Sequence, residues 1–176
     1  MLRSERFIFL DIDGALNSEN TRYVPPYGYG SATWDGIDFN CICRLNKIVE
    51  ETNAKLILSS SWKHYKPLEY CEKHLQKYGL KFPIKERTTN LNKLLDPNLS
   101  KEEQKFNVPT HNHGKEILHW ISKNNWRIKS FVVIDDLKKV YGWGFDDRVV
   151  LTSDTTGLTS EDAKRAVEIL KIDWVR

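Results

Sequence analysis

Cysteine is scarce in this chain, and long apolar runs are missing. The three cysteines, Cys41, Cys43 and Cys71, are an odd number without zinc-ribbon spacing. That argues against a disulfide scaffold or a cysteine-based zinc site and for reduced, structural thiols in a cytoplasmic protein. Cys41 and Cys43 stand two apart on a predicted helix, where they do not share a face, so core packing is the expected role. No segment approaches the ~20 apolar residues that a membrane-spanning helix needs. The basic start, MLRSER, is followed only by FIFL before acids appear, which reads as a first core strand and not a signal peptide. A dominant charge is lacking too: the net charge is +3 with a pI near 8.7, which permits an anionic partner without requiring one. Neither an internal repeat nor a low-complexity tract is present.

What is present is the pattern of one soluble α/β domain. A length of 176 residues with 40% hydrophobic and 29% charged residues can bury a proper core. RFIFLD, AKLILSSS, SFVVIDD and RVVLTS read as short buried strands, and KFPIKE as a strand at a sheet edge, where proline is tolerated. FNCICRLNKIVEET, PLEYCEKHLQKYG, GKEILHWISKNN and SEDAKRAVEIL carry helical spacing, the last with a serine at its start. The third helix is expected to put Ile117, Leu118 and Ile121 on one face. Strands alternating with helices predict a mostly parallel sheet sandwiched by helices. Two irregular stretches interrupt the alternation, residues 18–38 and 88–113. Loops this long in a compact domain are functional or disordered.

The first strand ends in two carboxylates, Asp11 and Asp13, followed by glycine. A calcium loop does not account for them, because Leu16 and Arg22 stand where such a loop needs glycine and glutamate. An ordinary turn after a strand would explain either acid pair alone. Recurrence is harder to dismiss: the second strand ends in Ser59 to Ser61 and the fourth in Asp135 and Asp136. In a parallel sheet those ends lie along one edge, where open α/β folds bind ligands. Four carboxylates gathered there would repel unless a cation sat among them, and few hard oxygen ligands suit magnesium. Lys115, near the start of its helix, is either a solvated surface lysine or a second cation facing an anion. Magnesium, carboxylates, a hydroxyl and a lysine together describe a phosphoryl-transfer site.

DIDGAL, LILSSS, Lys115 and VVIDD resemble, in order and spacing, the four motifs of the haloacid dehalogenase (HAD) superfamily, over residues 7 to about 152. FLDIDGALN, ILSSSWK and LTSDTTGLT are further similar to the HAD domain of the Swiss Army Knife RNA repair proteins. The resemblance implies a Rossmann-like HAD fold of about five strands over residues 1–176, with only a small cap insert. It makes Asp11 the nucleophile of an aspartyl-phosphate intermediate and Asp13 the acid and base. Ser59 and Ser60 would bind the phosphoryl group and Lys115 would balance its charge. Magnesium would be held by the Asp11 carboxylate, the Asp13 backbone carbonyl and Asp136, with Asp135 holding Lys115 or a metal-bound water. Position 15 departs from the pattern, with alanine where threonine or valine is usual.

Substrate is less legible. In the first insert, Tyr23, Tyr27, Tyr29 and Trp34 either stack on bases and line the entrance or pack the loop onto the body. Trp62 and Lys63 follow the serines and are candidates to reach the leaving group; the RNA-repair relatives are expected to carry arginine at position 63. His111 and His113 form an HNH run with no evident third metal ligand, so loop or helix-entry roles are expected. The leading expectation is a magnesium-dependent phosphatase for phosphorylated RNA or DNA ends, since a small cap leaves the site open. A mononucleotide phosphatase is the nearest alternative. A phosphoprotein phosphatase or a dehalogenase is less well supported, and a non-catalytic phospho-ligand module is the alternative from another class.

Overall fold

The computed structural model describes residues 4–22, 36–91 and 112–175. Five parallel strands form one sheet: β1 (Glu5–Leu10), β2 (Lys55–Leu58), β3 (Ile84–Arg87), β4 (Ile128–Asp135) and β5 (Val149–Leu151), in the order β3-β2-β1-β4-β5. Strand β3 is an edge, and Pro83 stands immediately before it. Among the described residues, four helices of ten or more residues cover the sheet: α1 (Phe39–Thr52), α2 (Leu68–Lys77), α3 (His113–Asn124) and α4 (Ser160–Lys171). The expected fold is therefore the observed one. The last helix is capped by Thr159 and not by Ser160: Thr159 Oγ1 accepts from the Asp162 backbone and the Asp162 carboxylate answers to the Thr159 N–H.

Alternation along β1 divides the core. Ile8 and Leu10 join Leu56, Leu58, Val132 and Ile134 against α1, α2 and α4. Phe7 and Phe9 face the other way with Ile57, Phe131 and Val133, against Ile117, Trp120 and Ile121 of α3. Trp120 meets Phe7 and Phe9 in T-shaped contacts at centroid distances of 5.0 and 5.2 Å. Both faces are covered, which is why these strands read as continuous apolar runs. Helix α3 buries Ile117, Trp120 and Ile121, while Leu118 is only half-buried.

Register positions the chemistry. Leu10 of β1 lies opposite Leu58 of β2 and Ile134 of β4. The ladder runs one step further, because Asp11 N donates to Ile134 O at 3.0 Å and Ser59 N to Leu10 O at 2.9 Å. Asp11 thus lies on the central strand between Ser59 and Asp135, at strand spacings of about 4.8 Å. All three continue the odd-numbered face that packs on α3.

Cys41 and Cys71 are buried and Cys43 exposed, and all three are free thiols. No helix among the described residues is long and apolar enough to cross a membrane.

Candidate active site

Asp11 is 3% exposed and Asp135 fully buried. Burial, followed by the neighbouring charge of Asp135, pushes the Asp11 carboxyl up to about 7. Its Oδ1 accepts the Ile12 N–H at 2.8 Å, and the Ser60 hydroxyl also supports its charged form. Ser59 Oγ is buried without a hydrogen-bond partner among the described residues. A buried hydroxyl in that state is costly unless something binds it.

The cation beside this pair is not Lys115. His113, the first residue of α3, places Nδ1 2.7 Å from Asp135 Oδ2 and 4.0 Å from Asp11 Oδ2. Burial, the largest influence, favours neutral imidazole, but the Asp135 hydrogen bond and the charges of Asp11 and Asp135 outweigh it and raise the pKa. Its Nε2 is buried without a partner among the described residues. The role expected of Asp135, holding a basic side chain, is thus met by a different base.

Helical phase explains the exchange. Residues 113, 116, 117, 120 and 121 are buried on α3, the i, i+3, i+4 spacing of one face. Lys115 is two residues from His113, about 200° round the helix, and its side chain is exposed. Its backbone N–H receives the Asn112 cap at 3.0 Å. The same periodicity was readable in HGKEILHWI, with His113 as the site-facing residue.

A second buried cation comes from the turn after β2. In the short 3-10 helix Ser61–His64, Lys63 curls back so that Nζ donates to Ser59 O at 2.6 Å and Ser60 O at 3.2 Å. It also pairs with Glu116 Oε2 at 2.7 Å, both side chains nearly water-free. Burial lowers its pKa, opposed by Glu116 and then by Asp11 and Asp135. Lys63 is therefore enclosed under the site and does not project toward a leaving group as the sequence suggested.

Asp13 is half-buried. Its Oδ1 accepts Asn17 Nδ2 and its Oδ2 accepts the Trp62 indole N–H, each at 2.9 Å. Trp62 thus reaches the proposed acid and base itself, an outcome that no local motif signals. Tyr23, Tyr27, Tyr29, Trp34 and His111 lie outside the described residues, as does most of the second insert.

Asp136 is half-buried beside the turn that follows β1. Gly14 has φ +73°, and a Cβ there would overlap the Asp136 carboxylate. Glycine is needed twice over, for the left-handed backbone and for the space. Ala15 is fully buried and its carbonyl accepts Leu158 N at 2.8 Å, so alanine at this position is enclosed by the turn after β5.

A divalent cation suits the carboxylates here. Asp11, His113 and Asp135 offer donor atoms within 4.8 Å of one another. Imidazole is a poor magnesium ligand, and His113 Nδ1 is already committed to Asp135. Asp11 and Asp135, whose repulsion adds to burial in raising the Asp11 pKa, are the groups that a hard ion would relieve. If Asp136 also belongs to that ion's shell, Gly14→Ala should displace it. The variant is expected to weaken magnesium binding about tenfold or more, read as a smaller magnesium-induced rise in melting temperature. A full wild-type response would remove Asp136 from the shell.

The family model described as the HAD domain in Swiss Army Knife RNA repair proteins matches residues 7–163. No curated protein and no solved structure matches the chain.

Proposed function

Because the chain belongs to the family of the HAD domain in Swiss Army Knife RNA repair proteins, we propose that it is a magnesium-dependent phosphatase acting on phosphorylated nucleic-acid ends. The observation that carries this reading is the buried Asp11 carboxylate accompanied by Ser59 Oγ and His113 Nε2, two buried polar atoms without a hydrogen-bond partner among the described residues. A phosphoryl oxygen supplies the acceptor that both lack. The RNA-repair setting of the family's description favours nucleic-acid ends over smaller esters.

The steps assign themselves to this chain's residues. An Asp11 oxygen attacks phosphorus and the bond from phosphorus to the leaving oxygen breaks, while the Asp13 carboxyl gives that oxygen its proton. Water then enters, Asp13 takes one of its protons, and the water oxygen attacks phosphorus. Inorganic phosphate leaves, Asp11 is restored as a carboxylate and Asp13 is again protonated. Ser59 Oγ–H and, when imidazolium is present, His113 Nε2–H donate to the phosphoryl oxygens. Lys63 adds positive charge beneath them without contacting substrate, so His113 and Lys63 together take the charge-balancing role expected of Lys115. Magnesium, held by Asp11, the Asp13 carbonyl and Asp135 or Asp136, would neutralise phosphate charge.

The test is phosphate release from 5′- and 3′-phosphorylated RNA and DNA oligonucleotides, mononucleotides, sugar phosphates and a phosphopeptide, with magnesium and with chelator. Magnesium-dependent release concentrated on oligonucleotides is expected. Preference for free nucleotides would reassign the substrate class. Silence across the panel from folded protein would leave a phospho-ligand binding module.

A further inference from the structure

We propose that Trp62 and Asn17 are positioning residues for proton transfer, fixing the Asp13 carboxyl group so that it can protonate the leaving oxygen. This rests on the phosphatase reading above and goes beyond it, since both residues lie outside DIDGAL, LILSSS and VVIDD and neither is expected to act on the phosphoryl group.

The geometry is a two-sided clamp. Asn17 Nδ2 donates to Asp13 Oδ1 and Trp62 Nε1 to Asp13 Oδ2, both at 2.9 Å. With one N–H on each oxygen, the carboxyl plane cannot turn without losing a bond. Each donor is itself immobilised. Asn17 is fully buried. Its Oδ1 accepts Gly14 N at 2.8 Å and its Nδ2 also reaches Gly36 O at 3.1 Å. The amide orientation is thereby set, because only the oxygen can accept from Gly14. Trp62 is 8% exposed. Its backbone N–H donates to Ser60 Oγ at 3.3 Å, and its ring lies 5.5 Å from that of His74.

The chemistry of the clamp suits an acid that must work in both directions. An indole N–H is a donor only, and the Asn17 nitrogen facing Asp13 is likewise a donor. Neither can take the proton that Asp13 carries. A proton delivered by this carboxyl group must use a lone pair that these two donors do not occupy, and holding the carboxyl plane limits the directions in which it can point. Fixing a proton donor within hydrogen-bond reach of the leaving oxygen is the positioning that makes general acid catalysis effective. A buried tryptophan used only to fill space would not need its nitrogen aimed at a carboxylate 49 residues away in sequence.

Leaving-group dependence separates this role from packing. Phenolates with strongly electron-withdrawing substituents depart without a proton, whereas phenolate and alkoxides need one. The experiment measures kcat/KM, which reports phosphoryl transfer to Asp11, for 2,4-dinitrophenyl, 4-nitrophenyl, phenyl and alkyl phosphates. The proteins compared are the wild type, Trp62→Phe, and a chain with β-(3-benzothienyl)alanine at position 62. The last keeps the bicyclic ring and replaces N–H by sulfur, so it tests the bond even if phenylalanine packs poorly. Both replacements are expected to lose about tenfold or more on alkyl phosphate and less than about twofold on the dinitrophenyl ester. Equal losses along the series, or no loss, would overturn the positioning role and leave the phosphatase reading standing. A wild type that hydrolyses none of the four esters or the oligonucleotides would overturn that reading, and this inference with it.

Discussion

Asp11→Asn is expected to abolish the proposed phosphate release and at the same time to raise the melting temperature of the metal-free protein at neutral pH. The loss of turnover follows from chemistry: an amide cannot form the acyl phosphate, and a fall of at least about a thousandfold is expected. The gain in stability follows from linkage. Asp11 is buried beside Asp135, and its carboxyl is pushed up to about 7. Between the ordinary aspartate range near 4 and that value, the folded state holds a proton that the unfolded state has lost. Stability therefore falls as pH rises through this window. His113, whose pKa is also raised, adds a loss of the same sign as pH rises past its ordinary value near 6.5 and through its raised one.

The metal-free wild type should thus melt progressively lower from pH 5 to pH 8, and magnesium should restore most at the upper end, where the carboxylates are charged. Asparagine keeps the shape and an oxygen for the Ile12 N–H but removes one charge of the repelling pair, so its profile should be flatter. Scanning calorimetry of both proteins in chelator across that pH range is the check. Parallel profiles would mean that the Asp11–Asp135 pair is not what sets the pH dependence.

Lys63→Met is expected to lower stability by about 3–5 kcal/mol. Lys63 and Glu116 side chains are 0% and 6% exposed and sit 2.7 Å apart. Removing the ammonium leaves a carboxylate stranded in the interior and takes a donor from the Ser59 and Ser60 carbonyls. The unpaired charge, more than the lost attraction, is the cost. Lys63→Met combined with Glu116→Leu should accordingly recover much of the loss, although the Leu91 N–H loses its acceptor, Glu116 Oε1. Lys115→Ala, on the solvent side of α3, should fall within about 0.5 kcal/mol of wild type, and should cost far less activity than Lys63→Met. Urea titration of the four proteins measures the first three comparisons. A double variant no better than Lys63→Met would show that this polar link is worth more than its desolvation cost. An activity loss at Lys115 comparable to that at Lys63 would return the charge-balancing role to Lys115.

The fold was legible because each strand and helix announces itself locally. Phe7 to Leu10, Lys55 to Leu58 and Phe131 to Ile134 are short runs with acids or serines at their ends, and the helices carry their own period. Parallel pairing then follows from alternation of helix and strand. The convergence of Asp11, Ser59 and Asp135 was legible for the same reason, since residues just beyond parallel strands must share one edge.

Which residues complete the site was not a matter of strand ends. His113, and not Lys115, lies beside Asp11 and Asp135 because the phase of α3, fixed by packing Ile117, Trp120 and Ile121 on the phenylalanine face, turns one inward and the other to solvent. Asp135, the last residue of β4, joins Asp11 and His113, while Asp136 falls behind Gly14. Lys63 and Trp62 changed meaning entirely, from substrate contacts to a buried counter-ion and a clamp on Asp13. The sequence by itself determined the sheet, its order of elements and the carboxylates at its edge, because backbone propensity and hydrophobic period are local properties. Only the tertiary structure decided the partners of those carboxylates, because helix rotation and side-chain reach depend on contacts between residues far apart in the chain.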